Sequence, residues 1–269
     1  MKFGVVVSSG WEARQIIKSG CLADSLGLDF FLVTDHYMTP VSDSSVDAWA
    51  VLAALAAKTK GVVLGTCVTP IPFRPPQLLA KVVATVDQIS NGRAVLGVGA
   101  GWSKPEFDAY SRWDDDRTRV AKTVEGLELI TKLWMAQEPF DFAGRYYSSQ
   151  GAILKPKPVQ QPHPPLWFGG RGTYMLKEIA AKYGDAWLPP IPGLQEDEYR
   201  RVLSLVRDGR ERGGRAVKVM FNGTLPEILS SLDRYAEMGC EAAMLVRTPY
   251  EDLPSAMREL RRTARSYTG

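Results

Sequence analysis

Short runs of apolar and β-branched residues alternate along this chain with longer segments whose apolar positions recur every three to four residues. The short runs fall at residues 2–8, 29–34, 62–68, 93–99, 166–169, 186–189, 217–221 and 242–247, and they show little apolar/polar alternation. A run that is apolar at consecutive positions fits a strand covered on both faces, as in a parallel sheet flanked by helices. A helical pattern follows each run, over 12–26, 46–60, 76–89, 119–135, 173–183, 196–212, 226–238 and 251–266. Gly27, Gly61 and the pair Asn91-Gly92 stand just beyond three of these patterns, where a helix end favours a residue tolerant of positive φ. Strand and helix alternate eight times, and right-handed crossovers then favour an α/β fold closed into a (β/α)8 TIM barrel. A doubly wound open sheet is the competing arrangement.

One segment departs from the rhythm. Residues 137–165, between barrel units four and five, carry Lys155-Pro156-Lys157-Pro158 and end in Pro162-His163-Pro164-Pro165. That density of proline disfavours helix and predicts an extended insertion. It leaves from a helix rather than a strand, so it is expected along the bottom of the barrel, away from the face where barrel enzymes build their sites. With no repeat or linker in view, residues 1–269 read as a single domain.

Composition narrows the function classes. The 269 residues suit one barrel, and 45% hydrophobic against 23% charged residues suits a globular chain. A net charge of +3 without a basic stripe gives no footprint for nucleic acid. Arg258, Arg261, Arg262 and Arg265 share the polar side of the terminal helical pattern and read as its wet face. The longest apolar run, 48–57, is about half the ~20 residues a membrane helix needs, so no membrane span is expected. The start has too short an apolar core for a signal peptide, and Cys21, Cys67 and Cys240 lack ligand or disulfide spacing. A cytoplasmic protein without a metal site is the expectation.

The candidate chemistry gathers at strand ends. Asp35 and His36 follow the second strand, and His36 is one of two histidines. An imidazole titrates near neutrality, and at a barrel mouth it can donate or accept a proton. The third strand leads into a stiff, proline-rich loop from Gly65 to Pro76. The fourth ends in Gly97-Val98-Gly99-Ala100-Gly101-Trp102. This superficially matches a dinucleotide fingerprint, but Trp102 replaces the third glycine and no acidic strand tip follows at the required distance. What remains is a glycine turn that lets backbone approach a flat ring. The fifth strand ends in Gly169-Gly170-Arg171-Gly172-Thr173-Tyr174, just before a helical pattern. Exposed N–H groups, the helix dipole and the Arg171 charge make that turn a plausible phosphate cradle, against the simpler reading of a plain turn. Trp11, Tyr37, Trp102, Trp187 and Arg247 lie near strand ends and are candidate pocket walls.

In their order along the chain these segments resemble the luciferase-like monooxygenase superfamily, and most of all its branch of oxidoreductases dependent on the deazaflavin coenzyme F420. The likeness rests on Val33-Thr34-Asp35-His36, Leu64-Gly65-Thr66-Cys67-Val68, Leu96 to Trp102, Arg119 to Glu125, Lys155 to Gln160, Pro165 to Gly170, and Tyr235 to Glu241. It spans the chain, and the ordered set is more specific than any member of it. The resemblance implies that Asp35 and His36 lie at the deazaflavin ring, with His36 as the catalytic proton group. It implies a non-proline cis peptide at Cys67-Val68 that bulges against the ring. It also implies ring contacts from Ala100 and Gly101, and a phosphate cradle from Gly170, Arg171, Gly172, Thr173 and Tyr174. A departure stands at Trp102, where some family members carry a catalytic glutamate, so their sugar-phosphate dehydrogenase activity is not carried over.

The resulting expectation is an oxidoreductase moving a hydride between coenzyme F420 and a small organic substrate, working as a homodimer. The alternatives are an FMN-dependent monooxygenase and a flavin-binding barrel without turnover. A Schiff-base aldolase is disfavoured because no strand ends in lysine.

Overall fold

The computed structural model describes residues 1–38, 44–170, 181–191, 193–211 and 217–267. The eight anticipated strands are present. They are β1 (Lys2–Val7), β2 (Phe30–Val33), β3 (Val63–Thr66), β5 (Ala94–Gly99), β8 (Leu166–Gly169), β9 (Ala186–Leu188), β10 (Lys218–Gly223) and β11 (Ala242–Leu245). All their ladders are parallel, and β3 pairs with β5 while β11 pairs with β1, so the sheet closes on itself. Closure removes the open doubly wound sheet from consideration. A two-residue strand β4 (Thr69–Pro70) extends the wall above β3.

The absence of alternation in the strands has a simple cause, because both faces of the wall are dry. Val5, Phe31, Leu64, Leu96 and Phe168 point outward into a shell packed under the helices. Val6, Phe30, Leu32, Val95, Met220 and Met244 fill the barrel interior. The two shells are populated by alternate residues of the same strands. The wall is tight between β3 and β5: a Cβ on Gly97 would lie 1.8 Å from the Thr66 carbonyl oxygen.

The surrounding helices are α1 (Ala13–Leu26), α2 (Ala48–Lys58), α3 (Pro76–Ser90), α4 (Lys104–Tyr110), α5 (Asp116–Met135), α6 (Ala181–Tyr183), α7 (Glu196–Glu211), α8 (Leu225–Met238) and α9 (Leu253–Arg265). Gly27 closes α1 at φ 71°, and Asn91 closes α3 at φ 55°. Gly61 does not cap α2, which ends at Thr59 in extended conformation. Instead the Asp24 carboxylate of α1 accepts the N–H groups of Lys60, Gly61 and Val62 and holds the turn into β3. On α9, Leu253, Met257 and Leu260 are buried while Arg258, Arg262 and Arg265 are exposed; Arg261 is half-buried beside Gly27. Among the described residues no helix is long and apolar enough to cross a membrane.

Residues 137–165 contain an antiparallel hairpin, β6 (Phe140–Ala143) with β7 (Ser148–Ala152), that the proline content did not suggest. The hairpin lies outside the helices, while the end of the insertion reaches the N-terminal side of the barrel, where Gln160 binds Asp87 and the Ala94 carbonyl at the start of β5. Glu125 of α5 accepts the N–H groups of Arg145, Tyr146 and Tyr147. Gln77, Lys81 and Gln88 of α3 donate to the carbonyls of Ser148, Lys155 and Lys157. The insertion therefore climbs the outside of α5 and descends along α3 before entering β8.

Candidate active site

At the top of the barrel the wall between β3 and β4 is offset. Five steps from Leu64 to Thr69 match four from Ala94 to Val98 on β5, so one extra residue is accommodated there. The extra residue lies at the Cys67–Val68 peptide, which is cis. A bulge re-aims a side chain that the regular ladder would send elsewhere. Here Val68 is directed over neighbouring backbone: added Cβ atoms on Gly99 and Gly169 would lie 2.6 and 2.9 Å from its methyl carbons. Those two glycines make room for Val68.

A cavity of about 670 Å³ opens around this bulge at the C-terminal ends of the strands. Thr34 and His36 contribute from the end of β2, and Cys67, Val68 and Pro70 from the bulge. The turn from Gly99 to Trp102 forms one wall, and Gly169 and Gly170 form another. Leu188, Pro189, Pro190 and Ile191 complete it beyond β9. Burial pushes the Cys67 thiol up to about 12, so it stays protonated near neutral pH and is a wall rather than a nucleophile.

His36 is fixed by a partner that sequence reasoning did not assign. Its Nδ1 lies 3.0 Å from Glu106 Oε2, and Glu106 is only 1% exposed. The other carboxylate oxygen accepts the backbone N–H groups of Tyr37 at 2.6 Å and Met38 at 3.5 Å. Glu106 belongs to α4, a helix the apolar pattern did not announce. Its faint signal was Pro105 followed by an acid in the first turn, a pairing common at helix starts. Gly101 makes the approach possible: it sits at φ 82°, and a Cβ there would lie 2.3 Å from the Phe107 ring. Trp102, 64% exposed, stands edge-on to the His36 ring with centroids 5.8 Å apart.

Asp35 is not on the cavity. Its side chain is turned to the outer shell, where Arg74 grips both oxygens at 2.7 and 2.8 Å and the Thr69 hydroxyl donates at 2.7 Å. The Trp49 indole donates in turn to Thr69. Burial alone would weaken the Arg74 charge, but the facing Asp35 outweighs it and holds the guanidinium firmly protonated. The expected contact of Asp35 with a ring is thus replaced by a buried ion pair that braces the loop.

The other expected positions divide. His36, Cys67, Val68, Ala100, Gly101 and Gly170 come together on the cavity. Arg171, Gly172, Thr173 and Tyr174 lie outside the described residues. Of the five wall candidates, Trp102 is on the cavity. Trp187 is turned outward against Tyr199, with its indole donating to the Gly170 carbonyl. Trp11 packs on Tyr250, Tyr37 on Phe73 and Tyr110, and Arg247 pairs with Glu227. Thr34, the segment from Leu188 to Ile191, and Glu106 were missed. Thr34 stands in the matched segment Val33-Thr34-Asp35-His36 without being singled out, while the fold alone brings the segment from Leu188 to Ile191 to the cavity and Glu106 to His36. Among the described residues no cluster of histidine, cysteine or acid could hold a metal ion.

Known proteins resemble this chain in sequence and in fold. The chain is 30% identical over 232 residues to an F420-dependent glucose-6-phosphate dehydrogenase of Amycolatopsis mediterranei (strain U-32), covering 85% of this chain and 68% of that protein. It is 27% identical over 226 residues to an FMNH(2)-dependent dimethylsulfone monooxygenase of Pseudomonas putida, covering 81% and 61%. The chain thus spans roughly two thirds of the length of these relatives. Among solved structures, the monooxygenase RslO1 from Streptomyces bottropensis superposes with a TM-score of 0.85 at 22% identity, over 100% of both chains. An F420-dependent secondary alcohol dehydrogenase, solved with an F420–acetone adduct, superposes with a TM-score of 0.81 at 21% identity, over 96% and 97%. At such identities the superpositions speak to fold. Residues 1–227 match the luciferase-like monooxygenase family, and with that match over most of the barrel the chain belongs to this family.

Proposed function

We propose that this protein is an oxidoreductase that works with coenzyme F420 on a small organic substrate, with His36 handling the proton that accompanies hydride transfer. The observation that carries this reading is the placement of an anchored imidazole on a cavity whose other walls are largely glycine backbone and apolar side chains. The relative from Amycolatopsis mediterranei and the alcohol dehydrogenase structure, each named as F420-dependent, support it.

The residues present suit a flat polycyclic group. Gly99 and Gly101 offer backbone without side chains, and a Cβ on Gly170 would meet nothing within 4 Å. Val68, Ala100, Gly101 and Gly170 would hold the ring region, and Arg171, Gly172, Thr173 and Tyr174 are proposed to hold its phosphate. The deazaflavin supplies a carbon that gives or accepts a hydride. His36 supplies or removes the proton at the substrate heteroatom, a task suited to an imidazole near neutral pH. Trp102 and Ile191 at the rim limit water access, and the apolar wall beyond β9 favours an uncharged substrate. Asp35 acts indirectly, through the loop it braces.

A second reading, FMN-dependent monooxygenation, is favoured by the Pseudomonas putida relative. Parallel titrations with coenzyme F420 and FMN, followed by tryptophan quenching, separate the two. The expected result is tighter binding of F420; tighter binding of FMN reverses the assignment. By analogy with the family we also propose a cytoplasmic homodimer. Sedimentation at micromolar concentration is expected to give a dimer, and monomer alone would remove that part.

A further inference from the structure

We infer that Glu106 is a positioning residue which sets the tautomer of His36 and so decides whether the free ring nitrogen, Nε2, is an acceptor or a donor when the ring is neutral. The inference rests on the reading of His36 as the proton-handling group, but its first test does not. A carboxylate can only accept hydrogen bonds, and Oε1 of Glu106 already accepts from the Tyr37 and Met38 backbone. The 3.0 Å contact at Oε2 is therefore met by a proton on His36 Nδ1. A neutral ring so held carries no proton on Nε2, which is left as an acceptor. A protonated ring keeps the Glu106 bond and presents Nε2–H as a donor. Either direction of proton movement then passes through Nε2, and the ring does not need to turn between them. Triads in which an acid orients a histidine rest on the same logic, and losing the correct tautomer there is costly even when geometry survives.

Glu106→Gln isolates this role from mere support. The Gln amide oxygen must face the Tyr37 N–H, since the opposite orientation would set two donors against each other. Its NH₂ group then points at His36 Nδ1 and demands an acceptor there, so the neutral ring is forced to carry its proton on Nε2. The shape and the loop anchor are retained.

The chain has two histidines, His36 and His163, so nitrogen-15 NMR of histidine-labelled protein, assigned with His163→Gln, reads the tautomer directly. It needs no cofactor, so a failure of the F420 reading leaves it intact. At a pH where the ring is neutral, the wild type is expected to carry its proton on Nδ1, and Glu106→Gln on Nε2. With coenzyme F420 and a turned-over substrate, the variant is expected to keep cofactor affinity within about threefold while the single-turnover rate falls at least ~10²-fold, the scale of lost acid–base assistance. A wild-type neutral ring protonated on Nε2 overturns the inference, whether or not the variant folds. So does a Glu106→Gln variant that keeps the wild-type tautomer, or one that turns over at the wild-type rate.

Discussion

Asp35 and His36 are neighbours in sequence, yet their side chains leave the end of β2 on opposite sides of the barrel wall. Thr34 and His36 face the cavity, and Asp35, between them, faces Arg74. The period of two along an extended chain makes this unavoidable. The two residues therefore differ in what their loss should do. Asp35→Ala leaves the largely buried Arg74 guanidinium with the more exposed Asp47 as its remaining ion-pair partner among the described residues. Breaking a buried pair from one side costs about 3–5 kcal/mol, and chemical denaturation should show a loss of that order. His36→Ala removes a half-buried ring but leaves buried Glu106 Oε2 without its partner, so a smaller loss of about 1–3 kcal/mol is expected. Its single-turnover rate should fall about 10²–10⁴-fold with cofactor affinity retained. Matching losses of affinity and rate would instead make His36 a packing surface for the cofactor.

At the scale of elements, the junctions between units carry the constraints. The Asp24 carboxylate joins α1 to the turn before β3. Burial pushes its pKa up, but the N–H groups of Val62, Gly61 and Lys60, with the Arg93 charge, outweigh this and leave it below its ordinary value of 3.8. A carboxyl depressed by folding contributes stability above its unfolded pKa and loses it as pH falls through the folded one. Asp24→Asn should therefore cost about 1 kcal/mol near neutral pH. The difference from wild type should narrow as the pH drops below 3.8; a gap that stays constant down to pH ~2 would contradict the ionic origin. The bulge is the second junction. Gly99→Val would drive a branched side chain into Val68, whose methyl carbon already lies 2.6 Å from where a Cβ would stand. Overpacking of this kind commonly costs about 1–3 kcal/mol, and here it should also displace Val68 and weaken F420 binding. A variant that binds F420 as tightly as wild type would show that Val68 does not border the cofactor.

For the whole molecule, the site depends on strands and loops that are far apart in sequence. A ligand that binds only the closed barrel should stabilise all of it. At a free F420 concentration of 100 times its dissociation constant the gain is about 2.7 kcal/mol. Thermal unfolding should move upward in one cooperative step, and a melt that shifts in only part of its amplitude would argue against a single folding unit.

The sequence by itself determined the number and order of the barrel strands. Each is a dry, two-sided run, and such runs are visible without knowing their partners. It also located the glycine turns and some of the cavity residues, such as His36 and Trp102, because a strand end is a local property. It did not disclose the hairpin over residues 140–152, whose backbone is held by Glu125 of α5 and Gln77 of α3. Nor did it reveal α4, a helix too short to show a period. Only closure of the barrel decided that Asp35 turns to Arg74, that Trp187 turns away from the cavity, and that Glu106 meets His36 across 70 residues. Those outcomes depend on which face of the wall each side chain takes and on the folding of the chain at Gly101, and neither is encoded in any one segment.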